Sequence, residues 1–233
     1  MANAILMASG LGSRMRPLTN DKPKPLIEVN GRPMIETVID ALIGAGTDKI
    51  YIVVGYLGEQ FNYLTQKYNN IQIIKNDVYN TVNNISSVYY ARDILRMGDC
   101  FVCEADLYIR DSALFATLPE ESCYFGKKVA GDSDDWVFEL DEDEYIIRVG
   151  KKGCDCYNMV GVCFLKAHEA GIVADAVEAT YYTDGYEDMF WDDVVNNNLD
   201  KLKLKVCPVC EDAIIEIDTV DELYAVRKRL GDK

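Results

Sequence analysis

The sequence predicts an α/β protein in which a mostly parallel β-sheet lies between two layers of helices. Short apolar segments have the length of buried strands, and amphipathic helical patterns separate them. Strands that alternate with helices in this way form right-handed β–α–β units, which build a parallel sheet covered on both faces. The hydrophobic fraction of 49% excludes a disordered chain, and 233 residues are enough to bury a large core.

The first half of the chain is predicted to form the parallel core. An apolar strand at 4–7 leads into a long loop, and a helix follows at 33–46, where apolar side chains recur at helical spacing. The alternation continues with strands at 49–55, 71–75 and 99–104 and helices at 58–68 and 85–96. In sheets of this kind ligands bind in a cleft at the carboxyl ends of the central strands.

After residue 111 the rhythm changes, and the pattern indicates antiparallel additions to the sheet. Alternating segments predict strands at 123–129, 136–140, 145–149 and 158–165, with an acidic turn at 141–144 between two of them. The remaining predicted elements are helices at 167–179, 186–196 and 220–230 and strands at 203–207 and 213–217. We therefore predict one continuous domain over residues 1–233, with two halves that divide near residue 110.

Charge and composition exclude several classes of protein. The formal net charge is -15 and the isoelectric point is near 4.5, and no Lys/Arg stripe outside the first loop could follow a nucleic-acid backbone. No apolar stretch approaches the roughly 20 residues of a membrane span. The first predicted strand follows Met1 almost directly, without a basic segment, so we expect no signal peptide and a cytoplasmic location.

The eight cysteines are expected to be reduced thiols. Cys100 and Cys103 lie in an apolar strand pattern, where cysteine acts as a small buried hydrophobe. A structural zinc site is the less favoured alternative, because no histidine lies near the four residues that could form it, Cys154, Cys156, Cys207 and Cys210. The single histidine, His168, opens a predicted peripheral helix and is expected at the surface.

The loop at 8–26 carries the strongest functional signal. Gly10 and Gly12 allow the backbone to turn sharply, so that main-chain N–H groups can face phosphate oxygens. Four cations follow within eleven residues of an otherwise acidic chain, which indicates a polyanionic ligand: Arg14, Arg16, Lys22 and Lys24. The dinucleotide-binding fingerprint does not fit, because Met15 stands where it needs glycine, and the Walker pattern does not fit either.

The loop resembles the signature of the nucleotidylyltransferases, or pyrophosphorylases. That signature is G-x-G-x-R-x-x-P-L-T followed shortly by P-K-P-L, and here it runs from Gly10 to Leu26. The resemblance implies the Rossmann-like three-layer fold of nucleotide-diphospho-sugar transferases, with a nucleotide-binding half at about 1–110 and an acceptor-binding half at about 111–233. It also implies that the nucleotide contacts Ala8, Ser9, Gly10, Leu11, Gly12, Ser13 and Arg14.

The resemblance further assigns a metal site and two catalytic cations. Asp106 and Asp218 match the family's metal carboxylates, and Mg²⁺ prefers one or two carboxylates together with phosphate oxygens. Each aspartate could instead be a helix cap or a turn residue. Arg14 would hold the β- and γ-phosphates, and Lys24 would neutralise the α-phosphate and the attacking oxygen. A dianionic phosphomonoester is already nucleophilic at neutral pH, so the reaction needs no general base.

Beyond the first loop, the chain resembles bacterial choline-phosphate cytidylyltransferases. The segments that carry this resemblance are 54–64, 83–87, Asp106 with Tyr108, Trp136, 190–192 and 216–218. It implies that CTP and phosphocholine are the substrates and that Asn83 and Ser87 contact the nucleotide, although Asn83 could equally cap a helix. The chain departs from this resemblance beside Asp106, where we would expect an aspartate and a polar residue but find Glu104 and Leu107.

Aromatic and acidic residues of the second half suit a trimethylammonium group, which ring faces and a nearby carboxylate hold best. A helix at 186–196 would place Asp188 and Asp192 on one face. The candidate acceptor-binding residues are Trp136, Tyr182, Tyr186, Asp188, Phe190, Trp191, Asp192 and Glu216. These aromatic residues could instead belong to the core. Lys151 or Lys152 is a candidate for the acceptor phosphate.

The sequence thus predicts a Mg²⁺-dependent cytidylyltransferase that joins CTP and phosphocholine to give CDP-choline and pyrophosphate. The same chemistry on 2-aminoethylphosphonate, phosphoethanolamine or another small zwitterion is the nearest alternative. A sugar-1-phosphate nucleotidylyltransferase and a non-catalytic nucleotide-sensing domain are the others. The pattern makes no prediction of the oligomeric state.

Overall fold

The computed structural model describes residues 2–231 and has the predicted α/β architecture. The strands are β1 (Asn3–Ala8), β2 (Glu28–Val29), β3 (Arg32–Pro33), β4 (Ile50–Val54), β5 (Ile71–Lys75), β6 (Cys100–Glu104), β7 (Leu107–Ile109), β8 (Cys123–Lys128), β9 (Asp132–Leu140), β10 (Ile146–Cys154), β11 (Tyr157–Leu165), β12 (Lys205–Val209) and β13 (Ile214–Glu216). The α-helices are α1 (Met34–Gly44), α2 (Asn62–Lys67), α3 (Ile85–Leu95), α4 (Ala167–Thr180), α5 (Trp191–Asn196) and α6 (Val220–Leu230).

The main sheet is parallel at its centre and mixed at one side. Strands β6, β1, β4 and β5 are neighbours in that order, and all three pairs are parallel. On the other side of β6 lies β11, which is antiparallel to β6, β8 and β9. The sheet then continues through the parallel pair β8–β12 and through the antiparallel hairpin β9–β10. The prediction of a parallel core with antiparallel additions in the second half is confirmed.

Both faces of this sheet are covered by helices, as the three-layer prediction requires. Alternate residues of β1 face opposite sides, because successive side chains of a strand point in opposite directions. Leu6 packs in the same cluster as Ile35 of α1, whereas Ile5 packs in the cluster that contains Val88 of α3 and Val173 of α4. No helix among residues 2–231 is long and apolar enough to cross a membrane.

A small separate ribbon lies beside the main sheet. It is formed by β7 and β13, which pair antiparallel so that Leu107 lies opposite Glu216. Thr37 of α1 fixes this ribbon, because its Oγ1 accepts a hydrogen bond from the backbone N of Ile109 at 2.9 Å and donates to the carbonyl oxygen of Met34 at 2.7 Å. The sequence pattern did not predict β7, which has only three residues.

The predicted helix at 186–196 is wrong in its first half. Residues Tyr186–Asp188 form a single 3-10 turn, and α5 starts only at Trp191 because Phe190 has extended backbone angles. The cause is local: the Asp193 side chain accepts a hydrogen bond from the backbone N of Phe190 at 2.8 Å and so caps a new helix. Asp188 and Asp192 therefore do not share one helix face.

The hairpin β9–β10 is longer than predicted. Its strands pair from the acidic turn at 141–144 as far as Asp132 and Cys154. The segment that contains Ser133, Asp134 and Asp135 is polar and so lacks the apolar alternation by which a strand is predicted. Residues 58–68 also differ from a single helix, because Gly58–Phe61 is a 3-10 turn that precedes α2.

We expect Thr37→Val to lower the free energy of unfolding by about 1–3 kcal/mol, because it leaves the buried N–H of Ile109 without its acceptor. Thr47→Val is the matched control, since the buried Thr47 hydroxyl has no hydrogen-bond partner among the described residues. That variant should be neutral or slightly stabilising. Urea denaturation of both variants is the measurement, and equal losses would contradict this account of the ribbon.

Candidate active site

A cavity of about 430 Å³ lies at the carboxyl ends of the central parallel strands. One wall is the loop that follows β1, and another is formed by residues at the ends of β6 and β13. All of the residues predicted for the nucleotide, the metal and catalysis line it: Ala8, Ser9, Gly10, Leu11, Gly12, Ser13, Arg14, Lys24, Asn83, Ser87, Asp106 and Asp218. The structure therefore brings together residues that lie up to about two hundred positions apart in the chain.

The loop after β1 has a shape that requires glycine at position 12. Gly12 has a φ of 59°, and a Cβ added there would lie 2.9 Å from the Cβ of Lys24. Thr19 fixes the turn, since its Oγ1 donates a hydrogen bond to the carbonyl oxygen of Gly12 at 2.8 Å. The glycine thus allows the loop to fold closely over the lysine.

Lys24 lies at the centre of an ion-pair cluster. Its Nζ is 2.6 Å from Oδ2 of Asp106 and 2.6 Å from Oδ1 of Asp218, and the lysine is only 6% exposed. Nη2 of Arg14 lies 2.8 Å from the same Asp218 oxygen, with most of the arginine exposed to solvent. A buried charge needs such partners, because removal from water is costly for an unpaired ion. The predicted catalytic cations and metal carboxylates are therefore in direct contact.

The ion pairs favour the charged forms of Lys24 and Asp218. Burial lowers the pKa of Lys24, but the carboxylates of Asp106 and Asp218 outweigh burial and raise that pKa above its usual value. Burial raises the pKa of Asp218, and the hydrogen bond and charge of Lys24, together with Arg14, outweigh it and lower the pKa. The result is a compact arrangement of fixed charges rather than an acid–base pair.

The chemistry of this donor set fits Mg²⁺. Asp106 and Asp218 approach one point, where Lys24 Nζ now lies, and both reach the cavity. No group of three or more His, Cys, Asp or Glu side chains among residues 2–231 is arranged to hold a metal. Two carboxylates suffice for Mg²⁺ only when phosphate oxygens and water complete its coordination, which suits a metal that arrives with a nucleotide.

A second acidic pair, Glu104 and Glu216, also lines the cavity. Burial raises the pKa of Glu104 well above its usual value, and repulsion from Glu216 and Asp106 adds to the rise. Burial also raises the pKa of Glu216 to about 7, with further contributions from Asp218 and Asp106. The charge of Lys24 offsets part of the rise for both glutamates, and Arg14 does so for Glu216. Among the described residues neither glutamate forms a hydrogen bond or an ion pair, and Glu216 is exposed to solvent while Glu104 is partly buried.

The opposite end of the cavity contains polar residues that the sequence analysis missed. Asn76 follows β5 directly, and its Nδ2 donates to the Ser86 hydroxyl at 2.8 Å. Ser87 Oγ donates to Ser9 Oγ at 3.3 Å and joins this end to the glycine loop. The other missed lining residues include Tyr79, Val82 and Asn84. The position of Asn76 at the carboxyl end of a predicted parallel strand was the signal that could have identified it.

Asn83 does not cap α3 through its side chain. Its Nδ2 donates to the carbonyl oxygen of Asp188 at 3.2 Å, and its Oδ1 accepts from the backbone N of Asn84 at 2.7 Å. Asn84 Oδ1 accepts a hydrogen bond from the backbone N of Trp191 at 2.9 Å. These contacts attach the segment before α5 to the cavity wall.

Two of the predicted acceptor-binding residues are buried rather than open to the main cavity. Trp191 is 3% exposed and stacks on Tyr124 with ring centroids 5.8 Å apart. Asp192 is 5% exposed, and its Oδ1 accepts a hydrogen bond from the Tyr124 hydroxyl at 3.0 Å. Because α5 starts at Trp191, its first turn points these side chains inward towards β8.

The other aromatic candidates form two clusters rather than one cage. Trp136 and Phe190 meet edge to face with centroids 5.4 Å apart, and Lys151 Nζ lies 6.0 Å from each ring centroid. Tyr182 and Tyr186 lie 5.6 Å apart in a separate tyrosine cluster near the end of α4. Of the eight predicted acceptor-binding residues, Glu216 alone lines the main cavity; Asp188 is exposed.

The cysteines are not arranged as the alternative zinc site would require, since no group of three or more metal-binding side chains among residues 2–231 is placed to hold an ion. All eight are free thiols, with Cys100, Cys103, Cys123 and Cys163 buried. Cys154 and Cys210 are exposed, and Cys156 and Cys207 are partly buried. His168 is exposed at the start of α4, as predicted.

Comparison with known proteins agrees with this geometry. Residues 3–121 match the family described as Nucleotidyl transferase. The sequence is 51% identical over 223 residues to a 2-aminoethylphosphonate cytidylyltransferase of Lancefieldella rimae, covering 96% of this chain and 91% of the relative. It is 33% identical over 222 residues to a choline-phosphate cytidylyltransferase of Streptococcus pneumoniae, covering 94% of each chain. A solved CTP:phosphocholine cytidylyltransferase from Streptococcus pneumoniae superposes with a TM-score of 0.90 at 31% identity, covering 98% of this chain and 99% of that one.

The chain therefore belongs to the nucleotidyl transferase family. Its sheet between two layers of helices is the Rossmann-like fold of these enzymes. Within that family it groups with the cytidylyltransferases. The resemblance inferred from the glycine loop is confirmed.

We expect Asp192→Asn to remove a pH-dependent loss of stability. Burial raises the pKa of Asp192 to about 7, partly offset by the Tyr124 hydrogen bond, from an ordinary value of 3.8. Between these pH values the folded protein holds a proton that the unfolded chain has released, so the wild type loses stability as pH rises from about 4 to about 7. The asparagine variant lacks this loss, which amounts to at most about 4 kcal/mol.

The measurement is chemical denaturation of both proteins from pH 4 to pH 8. The difference in free energy of unfolding should grow up to about pH 7 and then become constant. Asp188→Asn, which removes a charge from the exposed side of the preceding segment, is the control. A difference for Asp192→Asn that is independent of pH would contradict the assignment of Asp192 as a buried carboxyl group.

Proposed function

We propose that this protein transfers CMP from CTP to 2-aminoethylphosphonate and releases pyrophosphate. The observation that carries the transfer chemistry is the contact of Lys24 with both Asp106 and Asp218 beneath the glycine turn. The acceptor is proposed from the relative named for 2-aminoethylphosphonate, which is 51% identical over almost the whole chain.

The nucleotide would lie along the length of the cavity. Amide and hydroxyl groups of Asn76, Ser86 and Ser87 at one end offer the directional hydrogen bonds that recognise a base. The glycine turn and Arg14 at the other end face the triphosphate, since main-chain N–H groups and a guanidinium bind phosphate oxygens well. The α-phosphate then lies beside Lys24.

The reaction forms a bond between an acceptor oxygen and the α-phosphorus, while the bond to the pyrophosphate oxygen breaks. The acceptor carries its own negative charge and needs no base to activate it. Lys24 has three N–H donors, of which Asp106 and Asp218 take two, so one is available for an oxygen of the reacting phosphate. Arg14 stabilises the charge that collects on pyrophosphate as it leaves.

Asp106 and Asp218 would hold Mg²⁺ with the nucleotide. When bound, the ion neutralises phosphate charge and favours departure of pyrophosphate. The same two carboxylates also hold Lys24 in position, so the chain's fixed cation and its metal ligands form one unit.

Phosphocholine is the second candidate acceptor. The relatives named for choline phosphate match nearly the whole chain, and the Trp136–Phe190 pair offers ring faces to a quaternary ammonium group. The presence of Arg14, Lys24, Asp106 and Asp218 in one cluster argues against a non-catalytic sensing domain.

Pyrophosphate release should be measured for four nucleoside triphosphates against four acceptors: 2-aminoethylphosphonate, phosphocholine, phosphoethanolamine and glucose 1-phosphate. We expect the highest rate with CTP and 2-aminoethylphosphonate, and loss of that rate when EDTA removes Mg²⁺. A higher rate with phosphocholine would favour the second candidate. No reaction with any pair would refute the proposed activity.

Lys24→Ala should reduce turnover by at least about 100-fold, because it removes a fixed charge beside the reacting phosphate. Lys22→Ala is the matched control, as Lys22 lies on the same loop but is exposed and only 3.9 Å from Glu28 in a weak surface pair. Its turnover should stay near that of the wild type. Circular dichroism checks that both variants fold; near-normal turnover of a folded Lys24→Ala protein would contradict the role of Lys24.

A further inference from the structure

We propose that the hydroxyl oxygens of Ser9 and Ser87 bind the exocyclic amino group of cytosine and so select CTP over UTP. This inference rests on the proposed function and names the groups that choose the nucleobase. It concerns the end of the cavity where the base of the nucleotide is proposed to lie. The direction of the hydrogen bonds between the side chains at that end carries it.

A chain of hydrogen bonds connects the end of β5, the first turn of α3 and the glycine loop. Ser9 Oγ lies 2.9 Å from the carbonyl oxygen of Val53, and Ser87 Oγ lies 3.3 Å from Ser9 Oγ. Nδ2 of Asn76 lies 3.5 Å from Ser87 Oγ and 2.8 Å from Ser86 Oγ. The asparagine and the three serines are each at most 6% exposed, and all four line the cavity.

The carbonyl group at the end of the chain fixes the direction of every bond, because a carbonyl oxygen can only accept. Ser9 donates its single hydroxyl proton to Val53, so Ser87 must be the donor in its contact with Ser9. Ser87 has then used its own proton, and the Asn76 amide donates to it. Ser86 likewise donates to a backbone carbonyl oxygen, at 2.8 Å. None of the three hydroxyl groups therefore has a proton left for a ligand.

The two serines that face each other across the chain keep their capacity to accept. A hydroxyl oxygen can accept two hydrogen bonds. Among residues 2–231, Ser9 Oγ accepts one bond, from Ser87, and Ser87 Oγ accepts one, from Asn76. Each oxygen can therefore accept one more. A base that reaches this point meets two hydrogen-bond acceptors and no hydroxyl donor.

This arrangement matches cytosine and opposes uracil. Cytosine has an amino group with two N–H donors at position 4, where uracil has a carbonyl acceptor. The amino group can donate to the oxygens of Ser9 and Ser87. Uracil would bring the lone pairs of its own oxygen against theirs and leave all of these acceptors unpaired, and a buried polar group without a partner is costly. Selection for the amino group therefore follows from the direction of the chain.

The other groups at this end do not distinguish the two bases. Asn84 lines the cavity, and its Nδ2 suits the carbonyl oxygen at position 2, which cytosine and uracil share. Tyr79 also lines the cavity and packs closely on Gly55, where an added Cβ would lie 2.5 Å from the tyrosine ring. An aromatic ring can stack on either base. Discrimination at position 4 is thus left to the serine pair.

The test isolates position 4 of the base. The triphosphate of pyrimidin-2-one riboside has a hydrogen atom at that position and otherwise equals CTP. With whichever acceptor gives the highest rate, we expect the wild type to have a kcat/KM at least about 10-fold higher for CTP than for this analogue or for UTP. Ser87→Ala and Ser9→Ala should each lower the ratio of CTP to the analogue roughly 3- to 10-fold, because each removes one acceptor of the amino protons.

The two variants should differ in their use of UTP, which a merely structural defect would not cause. Ser9→Ala removes the acceptor of the Ser87 proton, so that proton can turn to the uracil carbonyl and kcat/KM for UTP should rise. Ser87→Ala should not raise it, because Ser9 still donates to Val53. Ser112→Ala makes the same chemical change on an exposed turn and is the control, with all three values unchanged.

Calorimetric titration with CTP and with the analogue gives a second reading that does not depend on turnover. A ratio of CTP to the analogue that is unchanged in both folded variants would overturn the inference, while transfer from CTP by the wild type would leave the proposed function intact. Absence of transfer from every nucleotide by the wild type would overturn the proposed function. The affinities of CTP and the analogue would then still decide the role of the serine pair.

Discussion

The buried ammonium group of Lys24 is the constraint on which the rest of the site depends. It contacts carboxylates from two places, one directly after β6 and one after β13, and it is itself enclosed by the glycine turn after β1. A buried ion that lost one of these partners would destabilise the fold, since unpaired charge in the protein interior is costly. The positions of three distant segments are therefore fixed by one group of atoms.

Two pairs of acidic residues line the cavity, and they differ in whether a cation is paired with them. Asp106 and Asp218 are compensated by Lys24 and Arg14, and the pKa of Asp218 is lowered. The glutamates two residues before them form no ion pair among residues 2–231; burial raises the pKa of each, and the charge of Lys24 offsets part of that rise. The aspartates are thus paired with fixed cations, whereas the glutamates are not.

Much of the fold and of the glycine-loop side of the cavity could be predicted from sequence, for identifiable reasons. Strands such as β4 and β6 are unbroken apolar runs, and the loop at 8–26 concentrates glycine and cations in a recognisable order. The short strand β7 carries too few residues to show a period. The break before α5 depends on one side-chain cap from Asp193, and that cap turned Trp191 and Asp192 into the core. Asn76 belongs to no sequence motif. Its place in the cavity could be recognised only from the structure, which brings the end of β5 next to the ends of the other parallel strands.

The contact between Lys24 and Asp218 spans 194 residues of sequence. The carboxylate of Asp218 lies on the segment between β13 and α6. During synthesis on the ribosome, the amino-terminal loop emerges long before that carboxylate has been added. A nascent chain therefore lacks one of the two carboxylate partners of its buried lysine until residue 218 has been added. The lysine can be enclosed with both counter-charges only after the segment between β13 and α6 has been made, so this contact must form late in folding during synthesis.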